Sequence, residues 1–569
     1  MALMELNGGE QVVASLERSG IRLGMGIVGS SILEVFDLLP QSAIQYVGVR
    51  HEQVAGHMAD AYARVSRQPA ACLVQNGAGL TNLVTGVATA WRARSPMVVV
   101  SGSPTSAQLF TDTYQEIDHV HIMRPITKWS HLVNRPDRIA EAVQEAVRIA
   151  TTPPYGPTFV DIPRDFLYEV ANITVRDREQ VVPHVRPEPT RRDLDAALRL
   201  LQQATHPVIL AGGGVAWADA GAAVGHLAEV IHAPVCTTYG HNDAVASAHP
   251  WYLGSLGRGG SKAAMEAFRQ ADLVLAIGTR LDPFTFLPYY GDAYVPASVR
   301  ILQVNNNPQD LGRSRPIECG VYADAAAFSE ALAGALGQNP VRSAYTLEQL
   351  ERWRTSWREE LSHSAEWAGD GNPLTMEAAY QGLARTMPDN VICTADIGSS
   401  PSFAYSMLSY SGPVSLLPPL GLGGVGFSLP AALGAKLAAP NRPVVALMGD
   451  GALSMSLPAL FTAHEHRIPI TAVVFDNRAW GAEKANQQYF YDAHYVGTNL
   501  DTPNLTTLAQ AMGIDAVTAD TPDAVAEALR EASQQNDVAH VIRIPVDPER
   551  FPLPARRDAL KKPVRHLYK

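Results

Sequence analysis

Short apolar runs alternate with amphipathic stretches along most of the chain. Early runs lie at Gly24–Val28, Ala71–Val74 and Met97–Val100, and later ones begin at Pro207 and Leu273. The segments after several of these runs have helix-like spacing of apolar residues. Such alternation is typical of parallel strands connected by helices. The sequence therefore predicts an α/β fold built from doubly wound parallel sheets.

Two interruptions of this pattern predict three domains. The proline-rich stretch VPHVRPEPT around residues 182–190 is typical of a linker, and a second connector opens at Gln338-Asn339-Pro340. We expect an N-terminal domain over 1–185, a Rossmann-like middle domain over 186–345, and a C-terminal domain over 365–569 that ends in a basic tail. The first and third domains are candidates for distant copies of one fold.

Composition narrows the class of protein. The 569 residues are 46% hydrophobic. With 45 Lys plus Arg against 56 Asp plus Glu, the net charge is -11, which does not favour binding to nucleic acid. No apolar run approaches the roughly 20 residues of a membrane helix, and the N-terminus lacks the pattern of a secretory signal. We expect a cytoplasmic protein. Its scattered cysteines predict buried, reduced side chains: Cys72, Cys236, Cys319 and Cys393.

Two apolar runs near the C-terminus end in polar residues. Val444–Met448 is followed by Gly449-Asp450-Gly451, and Thr471–Phe475 by Asp476-Asn477. Ligands of open α/β sheets bind at the carboxyl ends of strands, where Asp450 and Asn477 can converge on Mg²⁺ and a diphosphate. A helix predicted over Ala452–Ala463 would turn its amino end toward the phosphates. A Gly-Asp-Gly alone is usually a tight turn, but the strand, helix, strand order between the two sites favours the metal.

These residues resemble the signature of the thiamine diphosphate-dependent enzymes, with Asp476 in place of the usual first asparagine. The resemblance implies Mg²⁺ ligands from the Asp450 and Asn477 side chains and the Ala479 carbonyl. It also implies a cofactor shared between the subunits of a homodimer or homotetramer. Other residues around Asp450 and Asn477 are implied to contact the cofactor: Gly449, Gly451, Ala452, Trp480 and Gly481.

A stretch near the N-terminus resembles the family's pyrimidine-binding helix. Residues 49–64 read VRHEQVAGHMADAYAR, and this resemblance makes Glu52 the acid that hydrogen-bonds the aminopyrimidine and activates the cofactor by proton exchange. The alternative for Glu52 is a solvated helix residue. Residues 75–82, QNGAGLTN, resemble the turn beside the thiamine ring, with Ala78 where proline is usual.

Two further loops resemble the family. Residues 420–430 resemble the stretch that bends the cofactor, which implies Val425 as the wedge and the Gly423 carbonyl as an acceptor. Residues 396–400 resemble a diphosphate loop, which implies Gly398 and Ser399. Gly421, Gly423 and Gly426 also satisfy GxGxxG, but Leu417-Pro418-Pro419 interrupts the strand that a dinucleotide site needs.

The middle domain leaves one question open. Gly212–Gly214 follow an apolar run, and relatives bind FAD or a coenzyme A nucleotide such as ADP at this turn, whereas others bind nothing. The sequence supports either alternative equally.

Local stretches in all three domains resemble the sulfoacetaldehyde acetyltransferases within this superfamily. Examples are NRAWGAEK at 477–484 and GTRLDPF at 278–284. The resemblance implies conversion of sulfoacetaldehyde and phosphate to acetyl phosphate and sulfite. The alternatives are a carboligase like acetolactate synthase, or a decarboxylase or lyase acting on a 2-oxo acid or hydroxyacyl thioester. A catalytically silent cofactor-binding subunit is a third reading.

Roles follow for three more side chains. Gln115 is expected to polarise a substrate oxygen, Glu483 to shuttle a proton or pair with Lys484, and Trp480 to wall the pocket. Two substrate anions, sulfonate and phosphate, require cations. The candidates, any of which can instead be solvated, are Arg258, Arg280, Lys484, Arg556 and Arg557.

Overall fold

The computed structural model describes residues 3–182, 185–257, 259–286, 294–337, 341, 343–367, 369, 372–535 and 537–550. Arg258, Arg556 and Arg557 therefore lie outside the described residues, as does the basic tail. None of the helices within those ranges is long and apolar enough to cross a membrane.

The first sheet has six parallel strands in the order β3-β2-β4-β5-β7-β6, and β1 pairs with β8 in a separate antiparallel ribbon. The strands of the sheet are β2 Leu23–Gly26, β3 Gln45–Gly48, β4 Ala70–Val74, β5 Met97–Ser103, β6 Trp129–Leu132 and β7 Pro157–Pro163, and those of the ribbon are β1 Met4–Asn7 and β8 Val170–Ile173. Its helices are α1 Gly8–Arg18, α2 Leu33–Leu38, α3 Glu52–Ser66, α4 Ala78–Ala93, α5 His119–Met123, α6 Ile139–Thr151 and α7 Arg178–Val181.

The second sheet is also six-stranded and parallel, in the order β11-β10-β9-β12-β13-β14. Its strands are β9 Pro207–Ala211, β10 Val235–Thr237, β11 Tyr252–Ser255, β12 Leu273–Ile277, β13 Arg300–Asn305 and β14 Cys319–Tyr322. Its helices are α8 Arg191–Gln203, α9 Gly213–Trp217, α10 Gly221–Ile231, α11 Lys262–Gln270 and α12 Ala325–Leu336.

The third sheet repeats this architecture in the order β16-β15-β17-β18-β20-β19. Its strands are β15 Ile392–Ala395, β16 Leu416–Leu417, β17 Val444–Gly449, β18 Thr471–Asp476, β19 Asp515–Thr518 and β20 His540–Pro545. Before it, α13 Leu347–Ser364 packs its Leu350 into the core of the second sheet. The helices of the third sheet are α14 Met376–Thr386, α15 Ala404–Met407, α16 Ser428–Ala438, α17 Asp450–Ser456, α18 Pro458–Glu465, α19 Gly481–Phe490, α20 Leu505–Ala511 and α21 Pro522–Gln534. Three helix-flanked parallel sheets confirm the predicted fold class. The domain boundaries stay a prediction.

Helices α3 and α16 join the first and third sheets through one continuous hydrophobic core. They approach so closely at Gly434 that a methyl group there would lie 2.0 Å from the Met58 carbonyl oxygen. Near the end of α3, the buried Arg64 pairs with Asp60 and donates to the Pro418 carbonyl at 2.6 Å. The carboxyl end of α3 therefore lies beside the loop that precedes α16.

The opposite end of α3 lies beside a different part of the third sheet. Arg50, just before α3, pairs with Glu465 at 2.7 Å, and a ring nitrogen of His466 is 3.2 Å from the Gly48 carbonyl oxygen. Glu465 ends α18, which returns from the carboxyl edge of the third sheet toward its amino edge. The start of α3 is thus near the amino edge of that sheet.

Two predictions of local structure are wrong. The helix expected over Ala452–Ala463 begins earlier, at Asp450, and is divided into α17 and α18. The division follows from Pro458, which lacks an N–H and favours the first position of a new helix. Cys319, expected in the core, is only partly buried because it opens the edge strand β14; Cys72, Cys236 and Cys393 are buried as expected.

Candidate active site

The ends of β17 and β18 bring Asp450 and Asn477 together. The strands are neighbours in parallel register, with Gly449 opposite Phe475, so the residues that follow each strand lie side by side. Both Asp450 and Asn477 are buried. The neighbourhood predicted from the two apolar runs is therefore present at one edge of the sheet.

The two carboxylate oxygens of Asp450 differ in their surroundings. Its Oδ2 accepts a hydrogen bond from Thr502 Oγ1 at 2.9 Å, whereas its Oδ1 is buried and has no partner among the described residues. Burial, with a smaller contribution from Asp476, raises the pKa of the Asp450 carboxyl to about 6. A buried oxygen of this kind needs either a proton or a cation.

Asn477 lies within a cluster of small and polar groups. Its Oδ1 accepts a weak hydrogen bond from the Ala479 N–H at 3.3 Å. A methyl group on Gly481 would lie 2.5 Å from Ser399 Oγ and 2.7 Å from Asn477 Nδ2. Residues from two loops therefore surround the same space, and a side chain at 481 would displace Ser399 Oγ and the Asn477 amide.

The Trp480 ring packs directly against Gly451. A methyl group on Gly451 would lie 2.6 Å from the ring carbons, so the absence of a side chain there seats the indole. The backbone N–H of Trp480 donates to the backbone carbonyl of Thr498 at 2.8 Å, and Ala479 forms an antiparallel bridge with Asn499. These contacts fix the backbone that carries the Ala479 carbonyl.

The loop after β15 is held by Asp396. Its carboxylate accepts N–H bonds from Gly426 at 3.0 Å and Ser428 at 2.8 Å, which ties this loop to the segment containing Gly423 and Val425. Gly398 has a φ of +123°, and a methyl group there would meet no atom within 4 Å. Open space thus adjoins the predicted diphosphate loop. The partly buried Val425 packs against the core shared by the first and third sheets.

Asp476, which replaces an asparagine of the family signature, has a separate role. Its Oδ2 accepts from Arg543 Nε at 2.7 Å, a pair that is largely buried. The charge of Asp476 is therefore balanced within the protein, and Asn477 is the residue that adjoins Gly481.

A second group of residues gathers on the first sheet around Glu52. The Glu52 side chain is buried; its Oε2 accepts from Asn82 Nδ2 at 3.0 Å. A methyl group on Gly79 would lie 3.2 Å from Glu52 Oε1. Ala78, the first residue of α4, is adjacent. The turn predicted to face the thiamine ring therefore contacts the predicted acid.

Gln115 is connected to the same turn. Its Oε1 accepts from Gln75 Nε2 at 2.9 Å, and its backbone carbonyl accepts from Asn76 Nδ2 at 3.3 Å. Gln75 Oε1 in turn accepts from the Ser31 N–H and hydroxyl, each at 2.9 Å. Because Gln115 Oε1 already accepts from Gln75, the side-chain amide group of Gln115 can interact with another molecule only through its N–H donors.

Glu483 and Lys484 differ in environment. Glu483, in the first turn of α19, is exposed, and its Oε2 accepts from Asn486 Nδ2 at 3.2 Å. Lys484 is buried, and its Nζ forms a 2.9 Å ion pair with Glu549. Glu483, the predicted proton shuttle, is therefore accessible to solvent. Lys484 forms its ion pair with Glu549 and not with Glu483.

The two groups are far apart within one chain. Glu52 lies at the start of α3, near the amino edge of the third sheet, whereas Asp450 lies at its carboxyl edge. The six residues of β17, at about 3.3 Å per residue, separate these edges by about 20 Å. The groups around Asp450 and around Glu52, called the two half-sites below, therefore lie near opposite edges of the third sheet.

A cavity of about 620 Å³ lies at the carboxyl ends of β9, β12 and β13. Arg280 lines it, and its Nη2 donates to the Arg92 carbonyl at 3.2 Å. Arg94 pairs with Asp310 at 3.4 Å at the same cavity, and burial lowers the pKa of Arg280. Other lining residues include Gly213, Gly214, Gly278 and Ile397.

Sequence reasoning did not assign Thr502, Ser31, Gln75 or Asn82 to the site. Gln75 and Asn82 left a signal, since both fall in the 75–82 stretch QNGAGLTN, whereas Thr502 lies in a loop without periodicity. No three His, Cys, Asp or Glu side chains gather to hold a metal in the part of the chain that the structure describes. The predicted ligand set contains a single carboxylate, so such a cluster is not required for it.

Comparison with known proteins gives matches along most of the chain. Three sequence-family models match: the thiamine pyrophosphate enzyme N-terminal TPP binding domain at 6–122, the central domain at 194–332, and the C-terminal TPP binding domain at 396–544. Sulfoacetaldehyde acetyltransferase of Castellaniella defragrans is 35% identical over 100% of this chain and 97% of the relative. The Rhodobacter capsulatus protein of that name is 36% identical over 99% and 98%. A probable acetolactate synthase large subunit of Methanocaldococcus jannaschii is 31% identical over 95% and 92%.

Proposed function

The chain belongs to the thiamine pyrophosphate (thiamine diphosphate) enzymes, and on that basis we propose that it converts sulfoacetaldehyde and phosphate to acetyl phosphate and sulfite. The observation that carries the proposal is its full-length similarity to proteins with the name sulfoacetaldehyde acetyltransferase. The acetolactate synthases are somewhat less similar.

The proposed reaction balances without a redox partner. The carbon–sulfur bond breaks, sulfite leaves with the bonding electrons, and the methylene carbon gains a proton to become a methyl group. The aldehyde carbon loses its hydrogen as a proton, rises to the acyl level and bonds to a phosphate oxygen, which gives up its own proton in turn. The reduction of one carbon therefore offsets the oxidation of its neighbour.

The residues at the third-sheet edge fit a magnesium-bound diphosphate. Asp450 Oδ1 is a buried oxygen without a partner among the described residues, which a cation can satisfy, and open space adjoins Gly398. We assign the Mg²⁺ ligands to Asp450, Asn477 and the Ala479 carbonyl. The surrounding diphosphate contacts are assigned to Gly398, Ser399, Gly449, Gly451, Ala452, Trp480 and Gly481, with Gly423 and Val425 against the rings.

Thiamine diphosphate supplies a carbon nucleophile and an electron sink when it is bound. The buried Glu52 carboxyl holds the proton that it exchanges with a ring nitrogen. Gln115 donates its amide N–H to the substrate oxygen, since its own carbonyl group is held by Gln75. The exposed Glu483 delivers a proton to the carbon that sulfite leaves. Trp480 walls the pocket against water.

We further propose that two chains complete each site, in a homodimer or homotetramer. Glu52 and Asp450 of one chain lie near opposite edges of the third sheet, whose strand β17 is about 20 Å long, so we assign the Glu52 of one copy to the Asp450 of another. Apolar side chains beside the half-sites support this, because Phe110, Tyr114 and Val496 are 88%, 86% and 78% exposed. Such exposure is typical of a surface that another protein covers.

The test is release of sulfite by the purified protein with Mg²⁺ and thiamine diphosphate. We expect equimolar sulfite and acetyl phosphate from sulfoacetaldehyde and phosphate. Pyruvate is the parallel substrate: acetolactate from pyruvate with no sulfite from sulfoacetaldehyde would replace the proposal with the carboligase alternative. Aldehyde release from a hydroxyacyl thioester would favour the lyase.

The cavity at the ends of β9, β12 and β13 is proposed as a nucleotide site. Arg92, Arg94 and Arg280 supply positive charge for a diphosphate, and Gly213 and Gly214 allow its close approach. An absorbance spectrum of the purified protein distinguishes the occupants, since FAD absorbs visible light and ADP does not. Titration with ADP followed by calorimetry tests the second occupant, and a negative result in both removes this proposal.

A further inference from the structure

A buried pair of side chains outside the assigned machinery supports the turn beside Glu52. His119 is 2% exposed and Asp161 4% exposed. The His119 Nδ1 lies 3.0 Å from Asp161 Oδ2, and the Gly77 N–H donates to His119 Nε2 at 2.9 Å. The imidazole therefore connects β7, where Asp161 lies, to the turn that follows β4.

The Gly77 N–H determines which ring nitrogen of His119 carries the proton. Because a backbone N–H can only donate, Nε2 must offer its lone pair and the proton must reside on Nδ1. The Nδ1–H then donates to the Asp161 carboxylate, which favours this tautomer. Asp161 thus orients the ring, and the ring holds Gly77, in a chain of two hydrogen bonds.

Gly77 occupies a backbone conformation that needs such support. Its φ is +62° and its ψ is -111°, and it precedes α4 without a side-chain cap. A methyl group on Gly77 would lie 2.9 Å from the Gln115 carbonyl oxygen. The position of Gly77 therefore also fixes how closely the Gln115 backbone approaches the turn.

The same turn connects the two groups assigned to chemistry on the first sheet. Gln75 donates to the Gln115 side chain, and Gly79 lies against the Glu52 carboxyl. A shift of the turn would move Gln115 relative to Glu52. Displacements of about 1 Å from reacting geometry cost about 100-fold in rate in well-studied enzymes.

We propose that His119, oriented by Asp161, is a positioning residue that holds the Gln75–Gly79 turn, and through it Gln115, in the geometry of the reaction. The inference rests on the proposed function for its kinetic consequence, but not for its structural one. Both side chains are buried, and each contacts another protein group. Their effect passes through the Gly77 N–H.

The experiment compares H119F, which removes the acceptor for Gly77, with H119Q, which keeps one. His121→Phe is the matched control, because His121 lies on the same short helix with its side chain 72% exposed. Hydrogen–deuterium exchange of the 72–82 segment is measured in the cofactor-free protein. We expect exchange at Gly77 to rise about tenfold or more in H119F and to stay near wild type in H119Q and H121F.

Kinetics with sulfoacetaldehyde and phosphate give the second readout. We expect kcat of H119F to fall about tenfold to 100-fold with little change in KM for phosphate, and H119Q to recover most of it. Equal exchange in H119F and H121F overturns the proposal, and so does H119Q as impaired as H119F. If wild-type protein releases no sulfite, the proposed function fails while the exchange data still decide the positioning role.

D161N covers the case in which H119F does not fold. Asparagine preserves the shape of the side chain and weakens the bond to Nδ1–H, so exchange at Gly77 should rise less than in H119F, with no change in thermal stability beyond that of H121F. Exchange identical to wild type in D161N would exclude Asp161 from the positioning role.

Discussion

Glu52 and Asp450 are buried carboxyls with different requirements. Asp450 keeps one oxygen without a partner among the described residues, which suits a permanent cation, whereas one oxygen of Glu52 accepts from Asn82 and the other lies beside Gly79, both in α4. A metal ligand must stay ionised, but an acid that exchanges protons must pass through both states. The two environments support the two roles.

Replacing Glu52 with glutamine removes the exchangeable proton and leaves the shape. We expect kcat to fall by at least about 100-fold, because acid–base contributions of this size are usual. Cofactor affinity and melting temperature should change little, since the amide oxygen still accepts from Asn82. Steady-state sulfite release and a thermal melt measure the two effects. A variant with a tenth or more of wild-type activity would exclude Glu52 as the essential acid.

The Asp450 carboxyl should make magnesium binding depend on pH. Its pKa is raised to about 6 by burial, so it is neutral below pH 6 and must lose a proton to bind the metal. We expect the apparent Mg²⁺ affinity to be constant above pH 7 and to fall about tenfold per pH unit below 6. Calorimetry with thiamine diphosphate present measures it.

Asp476→Asn is the matched control for that titration. Asp476 contributes to raising the pKa of Asp450, so its neutralisation should move the onset of the loss to lower pH. An affinity that stays flat down to pH 5 in the wild type would argue against Asp450 as a ligand.

At the residue scale, the apolar pattern predicted site residues that directly follow strands. It did not predict Thr502 and His119, which approach from distant parts of the chain. Asp450 and Asn477 could be found because an apolar run marks where a strand ends. Thr502 contacts Asp450 from 52 positions away, and no local pattern encodes that approach. His119 was equally hidden, since its partners Gly77 and Asp161 are distant in sequence.

At the scale of elements, the close contact between α3 and α16 allows a direct test of how the first and third sheets pack together. Gly434→Ala would place a methyl group 2.0 Å from the Met58 carbonyl, and backbone cannot yield as a flexible side chain does. We expect a loss of about 2 kcal/mol or more, because overpacking typically costs 1–3 kcal/mol. The apparent melting temperature should fall accordingly.

Gly334→Ala in α12 is the control, because a methyl group there meets no atom within 4 Å. Alanine in place of an exposed helical glycine should stabilise by up to about 1 kcal/mol. Equal melting temperatures for the two variants would contradict the close approach of α3 and α16.

Element type was more predictable than element ends. Buried parallel strands such as β12 and β17 are continuous apolar runs, so their existence follows from composition. The division at Pro458 was encoded in one residue that the helical spacing on both sides concealed. Pairing order between strands is a long-range property, which spacing along the chain does not specify.

At the scale of the molecule, α/β alternation was enough to predict the three-sheet architecture, but not how the sheets face one another. The ion pair of Arg50 with Glu465 joins residues 415 positions apart, and it sets Glu52 against the amino edge of the third sheet. That orientation separates the half-sites within a chain. The proposal that two chains complete each site rests on this separation.

Mixing two inactive variants tests this proposal directly. Glu52→Gln and Asp450→Asn each disable every site in a pure oligomer. If each site takes Glu52 from one chain and Asp450 from another, a mixed dimer contains one doubly damaged site and one intact site. Random mixing should then restore about a quarter of wild-type activity, since half of the dimers are mixed and half of their sites are whole. Variants refolded or co-expressed together under two affinity tags, with sulfite release as the readout, provide the measurement. If both residues acted within a single chain, no site in any mixture would be intact, and restored activity would be zero.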